Sequence, residues 1–156
     1  MIYLDDFRGD WTAIKKALPT LLEQYEAEIA AAPERLSLAG KTGPQALKEQ
    51  CAWPVHYGML KVEVTKLLKH IDSRIDAVRG ELTRRYVETY SRDIGERVRE
   101  RYIDNEESYI KARGLYLEIE EIRDKLVAIC EAFDKRGFAL RDWTALKVSE
   151  LTDLTI

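Results

Sequence analysis

An arginine-tyrosine segment in the middle of the chain is the part of the sequence best suited to bind a ligand. Seven arginines occur between residues 79 and 101, and Tyr86, Tyr90 and Tyr102 lie among or beside them. Guanidinium groups pair with phosphates and aromatic rings stack on bases, so this composition is typical of surfaces that bind single-stranded nucleic acid. Residues 61–113 hold 13 basic and 11 acidic side chains, which gives this part of the chain a net charge of +2.

An ordinary solvated helix explains the same segment without any ligand. Three acid–arginine pairs stand four positions apart with the acid first, the order that favours ion pairs within a helix. Each pair stabilises a helix by only about 0.2–0.5 kcal/mol, but it also neutralises an arginine. Both interpretations therefore stay open at the level of the sequence. The three pairs are Glu81–Arg85, Glu88–Arg92 and Asp93–Arg97.

The other chemistry-bearing residues give no argument for catalysis. Gly40-Lys41-Thr42 looks like the end of a phosphate-binding loop, but Arg35 stands where that motif needs its first glycine. The two histidines and two cysteines match no zinc-ligand spacing. The acidic clusters lie on polar helix faces, where carboxylates are usually solvated. We therefore expect no enzyme, no catalytic residue, no cofactor and no metal site.

Apolar residues recur at helical spacing along nearly the whole chain, which predicts an all-α fold of long amphipathic helices. Residues 1–52 are expected to form an N-terminal helical segment that bends near Pro19 and has a loop over residues 33–44. Residues 53–156 are expected to form a helical core. Its predicted elements are a long helix over about 55–90, a helix over about 105–135 ending at Gly137, and a short C-terminal helix over about 139–150.

The helix predicted over residues 105–135 carries an apolar seam with the three- and four-residue steps of a coiled coil. So narrow a seam covers less surface than the apolar face of an ordinary globular helix. We expect it to form the interface of a coiled-coil-like homo-oligomer, the alternative being an antiparallel bundle within one chain. The seam residues are Leu115, Ile119, Ile122, Leu126, Ile129 and Phe133.

The composition narrows the class of protein further. The chain has 156 residues, of which 46% are hydrophobic and 34% charged, so it can build a core and is not generally disordered. Its net charge is −3, whereas a typical nucleic-acid binder has an excess of basic residues. The acidic excess of this chain lies towards its two ends. The sequence shows no membrane span and no signal peptide, which predicts a soluble cytoplasmic protein.

The order of motifs over residues 56–147 follows a known pattern. MLKVEVTKLLKHI leads into LTRRYVETYS, and after a polar stretch LYLEIEEIRDKLVAICEAF leads into KRGFALRDWTALK. This arrangement resembles the UvsY-type recombination mediators of T-even-like bacteriophages. The most specific part of the resemblance is the run from Arg136 to Arg141, RGFALR.

The resemblance implies a non-enzymatic protein of the host cytoplasm that binds single-stranded DNA and assembles as a ring-like homo-oligomer. It also implies contacts with the phage single-strand-binding protein and loading of the strand-exchange recombinase. The competing hypothesis is a phage structural or scaffolding coiled-coil oligomer without DNA affinity. The predicted nucleic-acid-binding residues are Arg84, Arg85, Tyr86, Tyr90 and Arg92, where the family's basic-aromatic segment falls, together with Arg97.

Overall fold

The computed structural model describes residues 3–7, 9–89 and 95–153. Helices make up 91% of the structure, and no strand occurs within those ranges. The predicted all-α class is therefore confirmed. After a single turn of 3-10 helix at Leu4–Phe7, the helices are α1 (Trp11–Leu36), α2 (Gly43–Thr89), α3 (Glu96–Asp104) and α4 (Glu107–Asp153).

Asp10 sets the start of α1. Its side-chain Oδ1 accepts a hydrogen bond from the Thr12 N–H at 2.9 Å, and its carbonyl accepts one from the Ile14 N–H at 2.9 Å. A side-chain oxygen at this position satisfies an N–H group that has no partner inside the helix. Ile14 then begins a buried stripe at helical spacing, which continues through Leu18, Leu21 and Tyr25.

Prolines lie inside the helices of this chain instead of between them. α1 passes through Pro19 and Pro33, and α2 passes through Pro54. A proline in a helix interior costs about 3 kcal/mol relative to alanine, because one hydrogen bond is lost and the ring crowds the preceding turn. Burial of neighbouring side chains, such as Leu18 and Leu21 around Pro19, offsets that cost.

The persistence of these helices corrects the boundaries predicted around them. The loop predicted over residues 33–44 is shorter and covers residues 37–42, where Gly40 adopts a φ of +71°. The long helix predicted to begin near residue 55 begins at Gly43. α2 therefore runs without a break through the division predicted between residues 52 and 53.

The prediction of two helices separated at Gly137 is wrong, because α4 is continuous from Glu107 to Asp153. The steps of the apolar seam continue beyond Phe133 through Arg136 and Leu140, both of which are buried. Burial of these two side chains stabilises the helix beyond Gly137, so the helix continues through the glycine. Gly137 instead allows close packing, since a Cβ there would lie 3.0 Å from Nε2 of Gln50.

The seam itself is part of the core of a single chain. Ile119, Ile122, Leu126 and Phe133 are all at most 4% exposed, and Leu115 and Ile129 are half-buried. These side chains leave little surface for a second subunit, so their predicted role as an oligomer interface is corrected. Coiled-coil spacing is the same whether a helix packs against its own chain or against a copy.

The chain divides into two compact units. One consists of Met1–Leu18 and Glu63–Ile122, and the other of Pro19–Val62 and Arg123–Ile156. Helices α1, α2 and α4 each contribute to both units. The first unit contains α3 and the arginine-tyrosine segment, and it is the unit that positions the candidate site.

Candidate nucleic-acid interface

Helix α3 is the element that the sequence did not predict. It carries Arg97, Arg99 and Arg101, and among its side chains only Ile103 is buried, at 2% exposure. A single anchoring residue in nine gives no apolar periodicity, which explains why this polar stretch gave no helical signal. Gly95 is its N-cap residue, and its carbonyl accepts a hydrogen bond from the Val98 N–H at 2.9 Å.

Within the described residues, a tyrosine stack and an ion pair hold α3 against the C-terminal part of α2. The rings of Tyr86 and Tyr102 are stacked, with centroids 5.8 Å apart and planes inclined by 23°. Nη2 of Arg79 lies 3.3 Å from Oε1 of Glu100. Stacked aromatic pairs add about 0.5–1.5 kcal/mol beyond their buried area, whereas exposed ion pairs add less. Of these two contacts the tyrosine pair is therefore the stronger, and Tyr102 remains 45% exposed.

Glu106 connects this arrangement to α4. Its Oε1 accepts hydrogen bonds from the Arg85 guanidinium and from the Tyr86 hydroxyl, and its backbone carbonyl accepts the Ile110 N–H at 2.9 Å. The Tyr86 hydrogen bond, together with the Arg85 charge, lowers the pKa of Glu106. The negative charge of Glu106 raises the pKa of Arg85, and its hydrogen bond raises the pKa of Tyr86. Arg85 thus pairs with Glu106, not with the predicted partner Glu81.

A groove of about 390 Å³ lies beside this cluster. Val78 and Leu82 supply the apolar part of its lining. The volume of the groove lies within the range of about 300–1,000 Å³ that is typical of small-ligand sites. Arg84 is exposed in the groove, and none of the carboxylates described by the structure lies within ion-pair distance of it. The remaining lining residues are Glu81, Arg85, Glu88 and Ser108.

Four of the six predicted nucleic-acid-binding residues can be placed. Arg84 and Arg85 line the groove, Tyr86 lies next to it, and Arg97 is exposed on α3. Tyr90 and Arg92 fall outside the described residues, as does one member of each of the predicted pairs Glu88–Arg92 and Asp93–Arg97. The prediction omitted Tyr102 from the site, although its place among the arginines of residues 97–101 was a usable signal.

A second polar cluster in the other unit joins α1 to α2. The Glu28 carboxylate pairs with Arg35 and lies 2.8 Å from Nε2 of His56. Nη1 of Arg35 donates to the Tyr57 hydroxyl at 3.0 Å, and that hydroxyl donates to the Glu28 carbonyl at 2.9 Å. The Arg35 guanidinium also lies 4.2 Å from the centroid of the Trp53 ring. These groups satisfy one another, so the cluster is best explained as an anchor between helices.

The Glu28 cluster was missed because its members are far apart in the sequence. Burial alone would raise the pKa of Glu28, but hydrogen bonds from Arg35 and His56 outweigh it and hold that pKa below its ordinary value.

Burial also raises the pKa of the Cys130 thiol, which makes this cysteine a poor nucleophile.

Searches for other kinds of site gave negative results within the described ranges. No group of three histidine, cysteine, aspartate or glutamate side chains there could hold a metal ion. None of the described helices has an apolar stretch long enough to cross a membrane. Comparisons with known protein families, curated proteins and solved structures found no significant match.

Proposed function

We propose that this protein binds single-stranded DNA at the groove formed by α2 and the start of α4. The observation that carries the proposal is the position of α3, which stacks Tyr102 on Tyr86, the residue that follows Arg84 and Arg85 on α2. Cationic groups for the backbone beside aromatic faces for the bases are the combination that single-strand-binding surfaces use.

Each part of the site has a chemical role in this proposal. Arg84 is exposed and meets a phosphate first, and Arg85 contacts a phosphate of the same strand. A base stacks on the exposed part of the Tyr102 ring, while the half-buried Val78 offers apolar contact to a second base. Because the roles proposed here are phosphate contact and base stacking, we expect weak sequence preference.

The biological role we propose is that of a recombination mediator of a bacteriophage. In this role the protein binds the single strand, contacts the phage single-strand-binding protein and helps load the recombinase. The support for these partners is the resemblance of residues 56–147 to such mediators. Several copies of the site in a ring-like homo-oligomer would act multivalently, so each site needs only modest affinity.

The direct test is fluorescence anisotropy with a labelled oligothymidine at 50 and 200 mM salt. The logarithm of the affinity should fall with the logarithm of salt concentration, with a slope of about −0.7 for each phosphate neutralised. Replacing Arg84 and Arg85 together by alanine should weaken binding by about tenfold or more, since two charge-assisted contacts are lost. No binding at 50 mM salt would refute the proposed function.

Arg141→Ala is the matched control for charge. Arg141 is exposed, pairs with Asp142 at 3.5 Å and belongs to the other compact unit. Its replacement removes one positive charge per chain without touching the groove. An equal loss of affinity per charge removed in the control and the groove variant would show that binding depends on net charge and not on this site.

A scaffolding homo-oligomer without DNA affinity is the second candidate. The observation in its favour is an exposed apolar stripe on α2, formed by Val55, Met59 and Val62, which are 61%, 66% and 54% exposed. Their spacing of four and three residues suits a helix–helix contact, and exposed apolar patches often mark interaction surfaces. Assembly in the absence of any salt-dependent DNA binding would favour this candidate.

A further inference from the structure

We propose that Glu106 acts as a built-in competitor of DNA for Arg85, so that Arg85 binds a phosphate only after this carboxylate is displaced. The inference rests on the proposed function, because it concerns regulation of the same groove. It assigns to Glu106 a role in setting DNA affinity that is separate from its place at the start of α4.

The hydrogen bonds of Glu106 are the first support. One carboxylate oxygen, Oε1, accepts from both the Arg85 guanidinium and the Tyr86 hydroxyl. A phosphate oxygen is an anionic acceptor of the same kind, and a guanidinium binds both groups through the same N–H donors. Glu106 therefore occupies donors on Arg85 and Tyr86 that a DNA phosphate would need.

The contrast with Arg84 is the second support. Arg84 and Arg85 are consecutive and line the same groove. Of these two, only Arg85 has a carboxylate within ion-pair distance among the residues described here. The groove thus offers one guanidinium that is ready for phosphate and one that is already engaged. This arrangement predicts stepwise binding, in which a phosphate first meets Arg84 and a second then exchanges with Glu106.

The position of Glu106 in the chain makes the exchange feasible. It follows Asn105, the C-cap residue of α3, and precedes the first residue of α4, so it lies in the short link between two helices. Its side chain is 27% exposed and that of Arg85 is 57% exposed. Ion pairs with this much solvent contact are weak, so a DNA phosphate can replace the carboxylate without unfolding either helix.

The test compares Glu106→Gln with Glu107→Gln in the anisotropy titration at 50 mM salt. Glu107 is the next residue, pairs with Lys111 four positions later, and loses the same charge on substitution. We expect Glu106→Gln to bind oligothymidine about two- to fivefold more tightly than Glu107→Gln, the factor that corresponds to one exposed ion pair. Equal affinities of the two variants, or weaker binding by Glu106→Gln, would overturn the inference.

A second background shows whether the gain passes through Arg85. In a chain that already carries Arg85→Ala, Glu106→Gln should increase the affinity for oligothymidine no more than Glu107→Gln does. Persistence of the full extra gain would mean that Glu106 acts only by general repulsion. Should Glu106→Gln perturb the start of α4 in circular dichroism, Glu106→Asn replaces it, because asparagine is neutral and favoured at helix N-caps.

The outcomes separate this inference from the proposed function. If the wild-type protein binds and the two glutamine variants behave alike, only the competitor role of Glu106 fails. If the wild-type protein and both variants fail to bind at 50 mM salt, the proposed function fails and the competitor role fails with it.

Discussion

Arg136 shows how one polar residue fits into an apolar seam. It is 6% exposed, and its guanidinium donates to Glu49 at 3.3 Å and to Oε1 of Gln50 at 3.1 Å. Gln50 in turn donates to the carbonyl of Phe133 at 2.8 Å. The arginine thus ties α4 to α2 within one unit, at a position where the spacing calls for an apolar side chain.

Replacing Arg136 by alanine should lower the free energy of unfolding by about 3 kcal/mol, since a buried side chain is lost and Oε1 of Gln50 loses its donor, although Glu49 keeps its ion pair with Lys41. Arg136→Met should cost less, because methionine fills the same space and suits the seam. Chemical denaturation followed by circular dichroism measures both changes. The exposed Arg141→Ala is the control, and a midpoint for Arg136→Ala equal to that of the control would contradict this account.

Glu28 gives a prediction about pH. Its pKa is held below the ordinary value of 4.5 by Arg35 and His56. A carboxyl group with a lowered folded-state pKa stabilises the fold fully above that ordinary value, and the contribution is lost as the pH falls through the folded-state pKa. Glu28→Gln should therefore lower stability clearly at pH 7 and much less at pH 3.

The measurement is urea denaturation of the wild type and Glu28→Gln at a series of pH values. Glu26→Gln serves as the control, because Glu26 is exposed on the same helix. A stability difference between wild type and Glu28→Gln that stays constant from pH 7 to pH 3 would show that the carboxylate charge plays no part.

At the scale of the helix, the prolines of α2 make a matched pair. Pro54 lies deep inside α2, whereas Pro44 is its second residue, where a missing N–H costs nothing. Pro54→Ala should raise the free energy of unfolding by about 2 kcal/mol, and Pro44→Ala should change it little. Thermal melts compare the two. Similar changes in the free energy of unfolding for both variants would contradict the explanation that burial of neighbouring side chains offsets the cost of Pro54 in α2.

The helices differ in how far the sequence predicts them. The apolar steps of α4 are strong and predict its register, but Gly137 wrongly predicts the end of a helix, because glycine often ends helices. Only the approach of Gln50, a residue distant in sequence, shows why a glycine lies there. Helix α3 has almost no buried face, so its existence depends on contacts such as the Tyr86–Tyr102 stack.

The candidate site, too, is only partly predictable from the sequence. Arg84, Arg85 and Tyr86 are recognisable from composition, because they lie together in one arginine-rich segment. Their partner Glu106 is not, since pairing by helical spacing favoured Glu81. Long-range contacts decide which charges are neutralised, and no local pattern records them.

For the whole molecule, assembly is the property that most affects DNA binding. We expect a homo-oligomer with a mass that is a multiple of 18.1 kDa in analytical ultracentrifugation. Val55→Asp combined with Met59→Asp should lower that mass, because charges would interrupt the exposed stripe on α2. Leu117→Asp, at a residue that is 55% exposed in the other unit, is the control. A mass of 18.1 kDa for the wild type at micromolar concentration would rule out assembly.

The central claim is that the groove beside the tyrosine pair binds single-stranded DNA. The anisotropy titration of the wild type against the Arg84→Ala, Arg85→Ala double variant tests it most directly. We predict wild-type binding that weakens with salt and is about tenfold or more weaker in the double variant. Identical titration curves for the two proteins at 50 mM salt would contradict it.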